Sequence, residues 1–188
     1  MEKILSHIRE FADSAHGTQT RKYTPERYIV HPVRVMETLQ HYNVGLPVLA
    51  AALLHDVLED TAVRNYELVL FLNTIMDNAD AEETVSLVEE LTDVYVKSDY
   101  PQWNRKQRKI KELERIAKTS PMAQTIKYAD IIDNTHEITL KDPGFAPRYL
   151  RECMQILQVA DKGNKDLYKI AREKIEDGLY KIKNNSGN

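Results

Sequence analysis

The amino-acid sequence predicts an all-α protein, one domain of about eight to ten helices, on three observations. Apolar residues recur at three- and four-residue spacing along nearly the whole chain, and no segment alternates as a half-buried strand would. Helix starts and stops punctuate that pattern at Gly17, Pro32, Pro47, Ser120-Pro121 and Pro147. The length, 188 residues, is that of one domain able to bury a sizeable core.

Composition narrows the class. Apolar residues make up 42% and charged residues 29%, ordinary for a soluble globular protein. The net charge of −3 gives no global pull toward nucleic acid or an anionic membrane, so neither is expected as a partner. No apolar run approaches the roughly 20 residues needed to cross a bilayer, and the start, Met1-Glu2-Lys3-Ile4, has no secretory hydrophobic region. The single cysteine, Cys153, excludes an internal disulfide framework and fits a reducing cytoplasm. Its helical context marks it as a packed residue rather than a nucleophile. Composition leaves a homo-oligomer open.

In chain order, the first helix is expected over Lys3–Ala15, with Ile4, Leu5, Ile8 and Phe11 inward and Gly17 as its stop. A polar loop follows, carrying Arg21 and Lys22. Adjacent cations in a loop are either solvated or grip a phosphorylated or aromatic ligand, since a guanidinium pairs with phosphate and stacks on rings. Tyr28-Ile29-Val30-His31-Pro32 opens the second helix, with Pro32 in its first turn. The central helix starts at Pro47. Further helices are expected over Tyr66–Ile75 and Ala81–Leu91, the latter capped by Asp80, and then a loop over Thr92–Gln102. Asn104–Lys118 reads as a basic helix, either a solvated face or a cationic wall beside an anionic substrate. Ser120 caps a helix that begins with Pro121 and carries Asp130 and Asn134 one turn apart. Helices over Pro147–Val159 and Lys165–Ile182 close residues 1–183 as the domain, and 184–188 are expected to be a disordered tail.

The stretch around which the chain is organised is Leu53-Leu54-His55-Asp56-Val57-Leu58-Glu59-Asp60-Thr61. At about 100° per residue on a continuing helix, His55, Asp56, Glu59 and Asp60 share an arc of roughly 140°, opposite Ala50, Leu54, Val57 and Leu58. Burying such charges is costly unless they are paired or bound to metal. The plain alternative is a surface helix end with solvated acids. His31, His55, Asp56 and Asp130 together offer two imidazoles and two carboxylates, a donor set suited to one divalent ion with open positions. Its oxygen content favours manganese, magnesium or iron over closed structural zinc. Glu59 and Asp60 are placed to orient a water and move its proton.

The same residues resemble a known family. Ala15-His16…Gln19-Thr20-Arg21, Tyr28-Ile29-Val30-His31-Pro32, His55-Asp56-Val57-Leu58-Glu59-Asp60-Thr61, Glu90-Leu91-Thr92-Asp93 and Lys127-Tyr128-Ala129-Asp130…Asn134 are similar, in order and spacing, to the hydrolase domain of the RelA/SpoT-type alarmone enzymes, within the HD-superfamily metal-dependent phosphohydrolases. The resemblance implies an HD-type helical bundle that removes the 3′-pyrophosphate of (p)ppGpp, giving GDP or GTP and pyrophosphate, with manganese. It implies His31, His55, Asp56 and Asp130 as metal ligands and Glu59 and Asp60 as catalytic acids. It assigns Arg21 and Lys22 to the nucleotide base and phosphates, and Asn134 to the ribose or base.

Three positions depart from the family pattern: Ile131 and His136 stand where basic residues are usual, and Tyr23-Thr24-Pro25 replaces a glycine after Arg21. All three border the expected nucleotide pocket rather than the metal. Two alternatives therefore stand beside the alarmone hydrolase: a related phosphohydrolase for another nucleotide, and a non-catalytic nucleotide-binding module. The module would have no need of both Glu59 and Asp60.

Overall fold

The computed structural model describes residues 1–185, and among them it contains ten helices and no sheet, with one isolated bridge between Thr20 and Arg27. Two compact units divide the chain, Met1–Thr92 and a second beginning at Asp93.

The first unit contains α1 (Glu2–His16), α2 (Val30–Gln40), α3 (Leu46–Leu54), α4 (Val57–Asp60), α5 (Asn65–Leu72) and α6 (Asn78–Leu91). At its centre α3 packs against α1, α2 and α6. Every residue from Pro47 to Leu54 is buried. Ala50, Ala51 and Ala52 let neighbouring backbones approach, while Leu49, Leu53 and Leu54 each contribute about 2 kcal/mol by leaving water. The expected amphipathic face is therefore missing from α3, because neighbours surround it.

The expected continuous helix through Asp60 is also corrected. It stops at Leu54, His55 and Asp56 make a turn, and α4 restarts at Val57. Asp56 lies at φ −97°, ψ −6°, in the sparsely used bridge between the main backbone regions. His55 Nδ1 lies 2.8 Å from the carbonyl of Ala52, so the imidazole satisfies an acceptor in the last turn of α3. The helix end thus carries its own histidine partner.

Gly17 ends α1 at φ +57°, where a side chain would be strained, and its N–H bonds the carbonyl of Asp13. The following loop folds back on itself: the N–H groups of Arg21 and Tyr28 donate to the carbonyls of Glu26 and Gln19. α5 is shorter than expected, ending at Leu72. α6 begins earlier, because Asp77 rather than Asp80 is the cap. Asp77 is extended, and its carboxylate accepts the N–H of Asp80, drawing Asp80 into the first turn.

The second unit contains α7 (Arg105–Ile116), α8 (Pro121–Lys141), α9 (Ala146–Val159) and α10 (Lys165–Asn185). α8 packs against α9 and α10, and α7 packs against α9. Ser120 caps α8 by accepting the N–H of Ala123, with Pro121 in the first turn as expected. Tyr128 is fully buried; its hydroxyl donates to the carbonyl of Ala160 at 2.6 Å and accepts the N–H of Gly163. Gly163 is required here, since a Cβ would stand 2.5 Å from the Tyr128 ring and 2.9 Å from the Thr125 nitrogen. In the expected loop, Tyr95, Tyr100 and Trp103 form a cluster with centroids 4.7–5.7 Å apart. Buried Glu112 accepts the N–H groups of Val94 and Tyr95 and holds that loop on α7. α10 runs past Ile182 to Asn185, and the rest of the expected tail, 186–188, lies outside the described residues. No helix among the described residues is long and apolar enough to cross a membrane.

Candidate metal centre

One helix and one turn bring three of the predicted ligands together. His31 is the second residue of α2, while His55 and Asp56 form the turn between α3 and α4. One ligand atom from each lies within 4.8 Å of the others. Oδ2 of Asp56 is 3.1 Å from Nε2 of His55 and 3.8 Å from Nε2 of His31. Atoms bound at about 2.1 Å to a common ion stand about 3–4 Å from one another, so the spacing fits a metal. Both imidazoles are buried and the Asp56 side chain is one-fifth exposed, leaving one side of the group open.

Neighbours fix the direction of these donors. The Ala52 carbonyl requires the His55 proton on Nδ1, which leaves the Nε2 lone pair on the side of Asp56 and His31. The two rings meet edge to face, with centroids 5.2 Å apart. The Tyr28 hydroxyl donates to Oδ2 of Asp56 at 2.7 Å, orienting the carboxylate. Two imidazole nitrogens and an oriented carboxylate form a mixed nitrogen and oxygen set suited to a divalent ion.

Tyr28 is the site residue that the sequence reading missed. The signal was its position at the entrance to α2, three residues before His31. Its ring lies 4.4 Å from that of buried His16, whose Nδ1 is 2.9 Å from Gln19 Oε1. The guanidinium of Arg21 lies over the Tyr28 ring, 5.6 Å from its centre. Arg21 is buried, so the first of the two loop cations turns inward beside the metal group. Lys22 is exposed and donates to the Tyr23 hydroxyl at 2.8 Å.

Glu59 and Asp60 occupy the exposed end of α4, one turn beyond the ligand pair, where the N–H of Asp60 bonds the carbonyl of Asp56. Asp130 and Asn134 belong to α8 of the second unit and share a face as expected. Asn134 Nδ2 donates to Oδ1 of Asp130 at 2.6 Å, and Lys127 Nζ is 2.9 Å from its Oδ2. Cys153 is buried, and burial pushes its thiol up to about 12, so it stays protonated and inert at neutral pH.

A family model for the HD domain matches residues 9–160. The guanosine-3′,5′-bis(diphosphate) 3′-pyrophosphohydrolase MESH1 of Xenopus tropicalis is 30% identical, over 92% of this chain and 91% of that protein. The guanosine-3′,5′-bis(diphosphate) 3′-pyrophosphohydrolase of Borreliella burgdorferi is 30% identical over 81% of this chain, but over only 21% of that protein. The chain spans about a fifth of the length of such bacterial relatives. A solved structure of a metazoan ortholog of SpoT that hydrolyses ppGpp superposes with a TM-score of 0.75 at 25% identity, covering 94% of this chain and 96% of that one. The match to most of the chain accounts for the paired histidines and the His55-Asp56 turn together: the chain belongs to the HD domain family, in the group of its MESH1 relatives.

Proposed function

We propose that the protein is a metal-dependent hydrolase of guanosine alarmones, releasing the 3′-pyrophosphate of (p)ppGpp to leave GDP or GTP. The observation that carries this reading is the convergence of His31, His55 and Asp56 within 4.8 Å, in a chain that matches its MESH1 relatives nearly end to end. The family resemblance adds Asp130 as fourth ligand. The oxygen content of the set favours manganese, magnesium or iron over structural zinc, and the resemblance singles out Mn2+ among them. A divalent ion held by these residues would supply a lowered pKa for a bound water and would draw charge from a phosphoryl oxygen.

The protein's own groups supply the rest. His55, held by Ala52, and Asp56, held by Tyr28, keep their donor atoms in place without rearrangement. Glu59 and Asp60 take the proton of the attacking water, being carboxylates one turn beyond the ligands with access to solvent. Arg21, backed by Tyr28, stacks on the guanine or pairs with a phosphate, and exposed Lys22 meets the phosphates. Asn134 contacts the ribose or base. The reaction is placed in the cytoplasm, where Cys153 stays reduced.

A substrate panel tests the reading. Protein supplied with manganese is mixed with ppGpp, pppGpp, GTP and other phosphorylated nucleotides, and products are resolved by chromatography. Pyrophosphate and GDP from ppGpp are expected. Turnover confined to other nucleotides would reassign the substrate, and binding without turnover would leave a nucleotide-binding module.

A further inference from the structure

The last side chain of α1 turns inward. His16 is 6% exposed, and its Nε2 has no hydrogen-bond partner among the described residues. An unpaired buried polar atom lowers stability, and an apolar ring in the same place would avoid that loss. Packing alone therefore does not account for an imidazole at this position.

Its two contacts both reach the loop that carries Arg21 and Lys22. Nδ1 lies 2.9 Å from Gln19 Oε1, and the ring lies 4.4 Å from that of Tyr28, tilted by 32°. Gln19 and Tyr28 face each other at the base of that loop. The Tyr28 N–H donates to the Gln19 carbonyl at 3.0 Å, and the Arg21 N–H donates to that of Glu26 at 2.9 Å. His16 thus grips both arms of the loop. A second tie to α1 comes from Arg27, which lies 2.9 Å from Asp13 and donates to the Gly17 carbonyl at 3.3 Å. The Arg27 side chain is 59% exposed, and a solvated ion pair of that kind contributes little. The inner grip is the one that fixes the loop.

Arg21 depends on the same contacts. It is buried, with its guanidinium 5.6 Å from the centre of the Tyr28 ring. A ring free to swing would carry the guanidinium with it. Fixing the ring before a ligand arrives lowers the ordering cost of binding.

We infer that His16 is a positioning residue for nucleotide binding: through Gln19 and the Tyr28 ring it holds Arg21 where a guanine or a phosphate meets it. The inference rests on the assignment of Arg21 to the nucleotide in the proposed hydrolase, and His16 acts through its two neighbours rather than on the substrate.

The test is calorimetric titration of the full chain with GDP, in EDTA so that no metal contributes, beside thermal unfolding of each variant. His16→Phe keeps a ring against Tyr28 but loses the contact with Gln19 and the unpaired nitrogen. It is expected to melt no lower than the wild type and to bind GDP about fivefold more weakly, the worth of one hydrogen bond. Gln19→Ala breaks the same contact from a half-buried loop position, so it reads the contact even where His16→Phe disturbs the fold. It should weaken GDP binding by a similar factor, and the double variant should weaken it little further. With manganese, KM for ppGpp should rise alongside, while kcat falls by less. No GDP binding by the wild type, unchanged affinity in both single variants, additive losses in the double variant, or losses that track a fall in Tm would each overturn the inference. The hydrolase reading fails separately. A protein that releases no pyrophosphate from ppGpp, yet loses GDP affinity in these variants, would keep the role of His16 and discard that reading.

Discussion

The Tyr28 hydroxyl donates to Oδ2 of Asp56 at 2.7 Å, joining the entrance of α2 to a turn 28 residues later. That oxygen is also the one nearest both imidazoles. The phenol therefore aims the carboxylate at the metal position. Replacing it removes one restraint on the Asp56 carboxylate, so Tyr28→Phe should lower divalent-ion affinity about 10–100-fold. The fold should lose only about 1 kcal/mol, the worth of one hydrogen bond. Calorimetric titration with manganese, beside thermal unfolding, separates the two effects. Unchanged affinity would remove Tyr28 from the site.

Asp56 and Glu59 should fail differently. Asp56→Ala deletes a donor atom, so both bound metal and activity should disappear. Glu59→Gln keeps the shape of an exposed side chain and should retain metal, while kcat falls about 10²–10⁴-fold with the loss of a proton acceptor. Metal content per chain, measured with kcat, checks both. A fully active Glu59→Gln enzyme would exclude Glu59 from proton transfer.

Glu152 predicts a pH dependence. Burial would raise its carboxyl, yet Arg105, Lys109 and Arg148 hold it below its ordinary value. A folded-state pKa lower than the unfolded one stabilises the fold above the ordinary carboxylate range, about pH 4.3. That contribution is lost as pH falls through the folded value. Glu152→Gln should therefore melt below the wild type at pH 7, and the gap in Tm should close as the solution is acidified below about pH 4. A gap that persists undiminished would mean the carboxylate charge is not what stabilises α7 on α9.

Gly163→Ala should be the most damaging small change in the second unit. Its Cβ would fall 2.5 Å from the buried Tyr128 ring and 2.9 Å from a backbone nitrogen of α8. Neither can retreat cheaply, so about 1–3 kcal/mol should be lost. Gly144→Ala, whose nearest neighbour would be 3.9 Å away, should be close to neutral in the same denaturant titration.

Much of this fold was legible in the chain because helix boundaries are written locally. Gly17 and Ser120-Pro121 act through their own backbone preferences, and the structure uses both as expected. The break at His55-Asp56 was not legible. Periodicity continues across it, and the partner that accommodates the turn is a carbonyl of the preceding helix. The choice of Asp77 over Asp80 likewise depends on one extended residue, and both acids satisfy the composition rule for a cap. At the metal group, residue types revealed His31, His55 and Asp56, since buried imidazoles beside acids need a reason. Tyr28 escaped because an aromatic at a helix entrance reads as packing until its hydroxyl is seen on Asp56. The division after Thr92 has no glycine- or proline-rich linker to announce it: the N–H of Thr92 still bonds the carbonyl of Val88 in α6.

The most direct measurement is anomalous diffraction at the manganese edge from crystals grown with Mn2+. The account predicts one strong peak about 2.0–2.3 Å from Nε2 of His31, Nε2 of His55 and a carboxylate oxygen of Asp56, with an oxygen of Asp130 completing the set. A peak elsewhere, or none at these side chains in crystals of protein that releases pyrophosphate from ppGpp, would contradict it.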